Sequence, residues 1–172
     1  YEYENENDKS KELKVYITYQ LLMGNTSNNL TAQINSIVDY YDSRYTIVNI
    51  GTGLSDENGT ATNGDIAHLD ENGKLVGNIS NETYNDNYNK VVIQNNTTIE
   101  AQKAESIYVQ FELSKDNVKD ILHDKGVGEV ADELLENVAE INSYSIYDGD
   151  KKIYAGIDKD SNPENSVPGT TD

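Results

Sequence analysis

Residues 13–23, LKVYITYQLLM, alternate without a break. Val15, Ile17, Tyr19, Leu21 and Met23 fall on one side, and Lys14, Tyr16, Thr18, Gln20 and Leu22 on the other. A period of two carried by β-branched and aromatic residues specifies a strand with one buried face, because successive side chains of a strand point to opposite sides. Residues 106–113, SIYVQFEL, repeat the pattern, with Ile107, Val109, Phe111 and Leu113 opposed to Tyr108, Gln110 and Glu112. The chain therefore carries at least two half-buried strands far apart in sequence, whose apolar faces need a common core.

Turn-forming residues punctuate the rest. GNTSNN follows the first strand, and residues 31–50 hold two further strand candidates, TAQINSIVD and YTIVNI, with YYDSR read as the turn between them. Residues 51–73 are rich in Gly, Asn, Asp and Thr and read as a long loop, with DENG turns at 56–59 and 70–73. Short strands are expected at 74–79, 90–94 and 97–101. Ser114 is placed to cap a helix over 115–123, whose apolar side would be Val118, Ile121 and Leu122. VGEVADELLENV continues as a second short helix, followed by the strand VAEINSYSIY. A hairpin is expected across Asp148-Gly149-Asp150-Lys151, with KIYAGI as its return strand. About seven to nine short strands with turn-rich connections predict an all-β sandwich with one or two short helices before the late strands. The sandwich is expected over 13–157, after a charged linker or incomplete first strand at 1–12. An acidic inter-domain linker is expected over 158–172, the segment that holds both prolines.

Composition narrows the function. The formal net charge is -18 and the pI near 4.3, a surface that repels nucleic-acid phosphates and anionic lipid. With no cysteine, disulfides and thiolate zinc sites are excluded. No apolar run reaches transmembrane length. The 13 Tyr and the abundant Asn, 22 in all, suit half-buried strands and polar turns. An enzyme finds little support. His68 and His123 stand far apart, nucleophile-elbow and phosphate-cradling motifs are missing, and Trp, the usual platform of sugar-cleaving sites, is absent. A non-enzymatic module is the expectation.

Three segments in order, VYITYQLLMGNTS (15–27), INSIVDYYDSRY (34–45) and ENVAEINSY (136–144), together with AGIDKDSNP, carry a family likeness. In this pattern the chain resembles the immunoglobulin-like repeats of Gram-positive surface adhesins and pilins, which include the collagen-adhesin-type stalk domains. The resemblance implies an immunoglobulin-like sandwich, an extracellular, cell-wall-attached location and a structural stalk role, with neighbouring domains of the same polypeptide as partners. It also implies an intramolecular Lys–Asn isopeptide bond assisted by a buried carboxylic acid. That chemistry needs an unprotonated amine beside an amide in an apolar core, and an acid to polarise the amide and shuttle protons.

Parity sorts the candidates for that bond. Asn137 shares a face with Ala139 and Ile141, and Asp39 with Ile37, so both are expected to point inward. Lys14 has the wrong parity. Lys9 and Lys11 have the right one, and Lys11 is the nearer to the strand. The alternative is that Asn137 satisfies a strand end and Asp39 caps the YYDSR turn. Asp158, Asp160 and Asn162 have the alternate spacing of oxygen-rich calcium loops, but Pro163 and Gly169 stand where a full loop needs Gly and Glu. They are candidate calcium ligands completed by a neighbouring domain, or else a solvated acidic linker. A second functional reading makes the chain a ligand-binding adhesin module that meets a host protein or glycan through the 51–90 loop region.

Overall fold

The computed structural model describes residues 14–54, 65–121 and 137–156. Ten strands are found among them: β1 (Lys14–Gly24), β2 (Thr31–Asp42), β3 (Thr46–Gly51), β4 (Ala67–Leu69), β5 (Leu75–Gly77), β6 (Ile79–Thr83), β7 (Tyr88–Ile99), β8 (Ala104–Ser114), β9 (Val138–Asp148) and β10 (Lys151–Gly156). One helix, α1, covers 115–121. The strands form two five-stranded antiparallel sheets, ordered β1-β8-β3-β4-β5 and β10-β9-β2-β7-β6. The protein is an all-β sandwich, as the alternating segments predict.

The adjacencies are informative. In a variable-type immunoglobulin sandwich, strands A, B, E and D form one sheet, and G, F, C, C′ and C″ the other. Here β9-β2-β7-β6 reproduces A-B-E-D, and β1-β8-β3-β4-β5 reproduces G-F-C-C′-C″. The outer strands are exchanged, however: β1, the first strand among the described residues, takes the place of G, and β9 takes the place of A.

Burial of alternate residues holds the sheets together. On β8, Ile107, Val109 and Phe111 are fully buried and Leu113 nearly so, and their β1 partners Leu21, Tyr19, Ile17 and Val15 pack against the same core while staying partly exposed at its flank. From the second sheet come Ile34, Ile37, Tyr41, Val91, Ile93 and Ile99. A bulge keeps β2 and β7 in phase with the core: Ile34 pairs with Thr97 and Ser36 with Gln94, so β7 sets Asn95 and Asn96 against Asn35. Asn96 takes φ 55, a left-handed conformation that Asn tolerates better than most residues.

Ser114 caps α1 as expected, its Oγ accepting the Asn117 amide hydrogen at 3.2 Å, and Val118 and Ile121 enter the core. The β9–β10 hairpin also forms as expected, with Asp148 paired to Lys151 and Gly149 at φ 55.

Several expectations are corrected. YYDSR is not all turn: Tyr40, Tyr41 and Asp42 extend β2, because both tyrosines bury their rings. The turn lies at Ser43 and Arg44, and Asp42, not Asp39, caps it by accepting the Arg44 amide at 2.9 Å. The segment 51–73 is not all loop, since β4 lies in it, and the strand expected at 74–79 is replaced by β5 and β6. The second DENG is the tight connection between β4 and β5, in which Asp70 Oδ1 accepts the Asn72 and Lys74 amides, each at 2.9 Å. The strands expected at 90–94 and 97–101 are one, β7. The first DENG, Leu122, His123 and most of VGEVADELLENV lie outside the described residues. Among the described residues no helix is long and apolar enough to cross a membrane.

Candidate functional site

Asp39 sits in mid-strand on β2, in register with Val91 on one side and Ala139 on the other. Ile37 and Tyr41, two residues away on each side, both face the core, so the pleat turns Asp39 inward with them. It is 0 % exposed. Asn137, immediately before β9, comes to the same place, and its amide is the side chain that hydrogen bonding assigns to Asp39. The two residues that parity placed inward are thus neighbours, although the chain separates them by almost the whole sandwich.

Burial pushes the Asp39 carboxyl up to about 8, and the Asn137 side chain draws it back only in part. At neutral pH the group is therefore mostly a neutral acid. The hydrogen-bond geometry agrees. Both Asp39 oxygens and Asn137 Oδ1 are buried without a well-formed hydrogen bond, although the Asn137 side chain lies close enough to act on the carboxyl. An ionised Asp39 would leave a charge buried without a well-formed hydrogen bond, which favours the protonated form. The Tyr19 phenol nearby is pushed up to about 12, by burial first and by the Asp39 charge second. The Tyr41 phenol likewise rises to about 12 through burial, partly opposed by its hydrogen bond to Asn81 Oδ1 at 2.9 Å. Both tyrosines pack in the core, and Tyr41 is also a hydrogen-bond donor.

No family model, curated protein or solved structure significantly matches the chain.

The pair stands at an opening. Ala139, next to Asp39 across the sheet, is exposed and Asn137 is half-buried, so the pair lies on the flank where β1 edges its sheet and where the start of β9, beyond the Tyr144–Asp148 stretch that pairs with β10, edges the other. Lysines on described strands near this end point elsewhere. Lys14 pairs with Glu112 at 2.9 Å on the outer face of β1, as its parity predicts, and Lys90 pairs with Glu82 at 2.9 Å on the outer face of the second sheet. Lys9 and Lys11 lie outside the described residues, as do Asp158, Asp160 and Asn162. Among the described residues no three His, Asp or Glu side chains converge as a metal site would require.

One feature escapes sequence reasoning. The outer face of the first sheet carries an open groove of about 530 Å³, lined by Tyr16, Val48, Asn49, His68, Leu69, Gln110 and Glu112. These side chains come from four strands, and their meeting depends on a bulge in β3 that alternation does not reveal.

Proposed function

We propose that this chain is a load-bearing module of a bacterial surface adhesin, non-enzymatic toward other molecules, and that the Asp39–Asn137 pair is the acid–amide half of an intramolecular isopeptide bond. The observation that carries the reading is a fully buried mid-strand carboxyl beside the side chain of Asn137, in surroundings that push it up and favour its neutral form. A residue serving stability alone would be apolar at Asp39, since it is paired with Val91 and Ala139 and faces the apolar core.

The step balances without a co-reactant. An unprotonated Lys Nζ attacks Asn137 Cγ, the bond from Cγ to Nδ2 breaks, and ammonia leaves. Asp39 donates its proton towards the amide and recovers one from the attacking nitrogen. Lys11 is the amine that the sequence offers first, and Lys9 the next. The exposed flank at Ala139 gives an amine a route inward, and partial desolvation there favours its uncharged form. A bond from the lead-in to Asn137 would carry tension past β1 to β8 through covalent linkage, which suits a stalk that has no disulfide.

Intact-mass measurement on the full chain tests this. The reading expects a deficit of one ammonia, lost in the Asp39→Ala protein, with tandem fragmentation joining a lead-in lysine to Asn137. A full, unmodified mass in the purified wild type overturns the covalent clamp.

A further inference from the structure

The two sheets are out of step by one strand. Tyr41 of β2 meets Phe111 of β8 ring to ring, so these strands face each other across the core. On one flank β5 and β6 end their sheets, joined by the single residue Asn78. On the other flank β8 is followed by β1 alone, whereas β2 is followed by β9 and then by β10. With the sheets stacked face to face, β9 lies over β1, and β10, paired along Tyr144–Asp148, overhangs a place in the first sheet that no described strand fills.

Burial follows this offset. Residues 151–155 of β10 are exposed on both faces. The inward side chains of β8 are buried, while their partners on β1, Val15, Ile17, Tyr19 and Leu21, are only partly so. The outer edge of β1 is also unusual in kind. The strand pairs with β8 over eleven residues without a register shift, and from Val15 to Gly24 it carries no charged residue and no proline. Edge strands are ordinarily blunted by bulges, charges or proline, since their unpaired N–H and C=O groups invite a further strand. β1 uses none of these devices, so its edge is suited to being paired.

We propose that the slot beside β1 and beneath β10 is the docking site of this chain's own lead-in, residues 1–7. The lead-in joins the start of β1 through residues 8–13, a connection short enough for a hairpin. Its sequence YEYENEN alternates, with Tyr1, Tyr3 and Asn5 on one side and Glu2, Glu4 and Glu6 on the other. Residues directly opposite in paired strands point to the same side. Pairing that turns Tyr1 and Tyr3 inward, beside the half-buried side chains of β1, therefore leaves the three glutamates on the outer face, the face that carries Lys14. The glutamates then give the finished sheet the charged edge that β1 lacks. A second β1 seated there would bring its own β9 into the place of β10, and two chains of charge -18 repel each other. The strap and the isopeptide bond are separate claims: the hairpin needs no covalent link, and each fails by its own measurement.

The chain has no cysteine, so an introduced pair reports without ambiguity. In the full chain, Tyr3→Cys is combined with Val15→Cys, Ile17→Cys or Tyr19→Cys, which sample the registers of the hairpin, and each protein is mildly oxidised. One pair is expected to close within the monomer, read as the loss of two hydrogens in the intact mass and unaffected by dilution. Glu4→Cys with the same partners should stay open, because its side faces outward. The unsubstituted protein supplies a second readout. Its β1 amides that point away from β8 should exchange at least about tenfold more slowly than in a protein lacking residues 1–7. No closure within the monomer, closure only between copies, equal closure from Glu4→Cys, or equal exchange with and without residues 1–7 overturns the proposal.

Discussion

Tyr41 of β2 and Phe111 of β8 meet across the sandwich with ring centroids 5.0 Å apart and planes inclined by 44°. Tyr19 and Tyr45 approach the same Phe111 ring, each with centroids 5.7 Å away, so the single Phe of the chain is the point on which three tyrosines from three segments converge. Phe111→Ala would open a cavity among large rings that cannot collapse to fill it. We expect a loss of roughly 3–5 kcal/mol in denaturant unfolding. A loss below about 1 kcal/mol would mean that the rings repack without it.

The buried acid makes a prediction about pH. The Asp39 carboxyl is held at about 8 in the folded protein, against roughly 4 in an unfolded chain. Between these values the folded state keeps a proton that the unfolded state has released. The contribution of this group is therefore intact below about pH 4, falls as pH rises, and is fully lost above about pH 8. Asp39→Asn removes the titration. The stability of the wild type relative to the Asp39→Asn protein should decline between pH 4 and 8, by up to about 5 kcal/mol. A covalent clamp would offset the curves by a constant and leave that slope. Parallel curves would show that Asp39 is ionised in the fold.

Much of this was legible in the sequence, and the failures have identifiable causes. Strict alternation gave β1 and β8 their faces, and the same parity brought Asp39 and Asn137 inward. The fate of YYDSR was not legible because Tyr, Asp and Ser suit a turn as well as a strand end. What decides it is that Phe111, far along the chain, gives the Tyr41 ring a place to bury. The Asn95–Asn96 bulge looks like a break between strands, since a bulge and a turn use the same residue type. The groove was invisible for a related reason: the extra residue in β3 disrupts the period of two, and the Tyr16–Glu112 contact exists only once the β1–β8 register is fixed.

Gly77 is a position that only glycine fills well. Its φ is 144, and a Cβ there would collide with the Ile66 carbonyl oxygen and with Ala67. Gly77→Ala is expected to cost roughly 2 kcal/mol or more by thermal or chemical unfolding. Gly24→Ala is the control, because a Cβ there meets nothing within 4 Å, and it should stay within about 0.5 kcal/mol of wild type. Equal effects from the two would show that the β5 end relaxes around the added methyl.

The end of the sandwich remote from α1 is locked by two side chains with unequal burial, and this sets an order of effects. Asn25 Nδ2 donates to the Leu30 carbonyl at 2.8 Å and the Ile99 carbonyl at 2.9 Å, while its Oδ1 accepts the Ser27 amide at 3.0 Å. Those bonds are part-buried, and Ile99 is a core residue at 1 % exposure. Gln102 Nε2 donates to the Thr26 carbonyl at 2.6 Å and the Ser27 carbonyl at 2.8 Å, but in the open, and Gln102 pays backbone strain at φ 59. Removing Asn25 strands partly buried acceptors that water reaches poorly, so Asn25→Ala should cost about 1–3 kcal/mol. Water can replace Gln102, so Gln102→Ala should cost about 1 kcal/mol or less, and Gln102→Gly less than Gln102→Ala because glycine accepts the positive φ. Amide hydrogen exchange then separates local from global loosening. Faster exchange at Asn25, Ser27 and Leu30 in both Ala variants, with unchanged exchange at Phe111, is the expected pattern. If Gln102→Ala destabilises the protein more than Asn25→Ala, exposure is not what ranks these bonds, and the bracing of the loop runs mainly through Gln102.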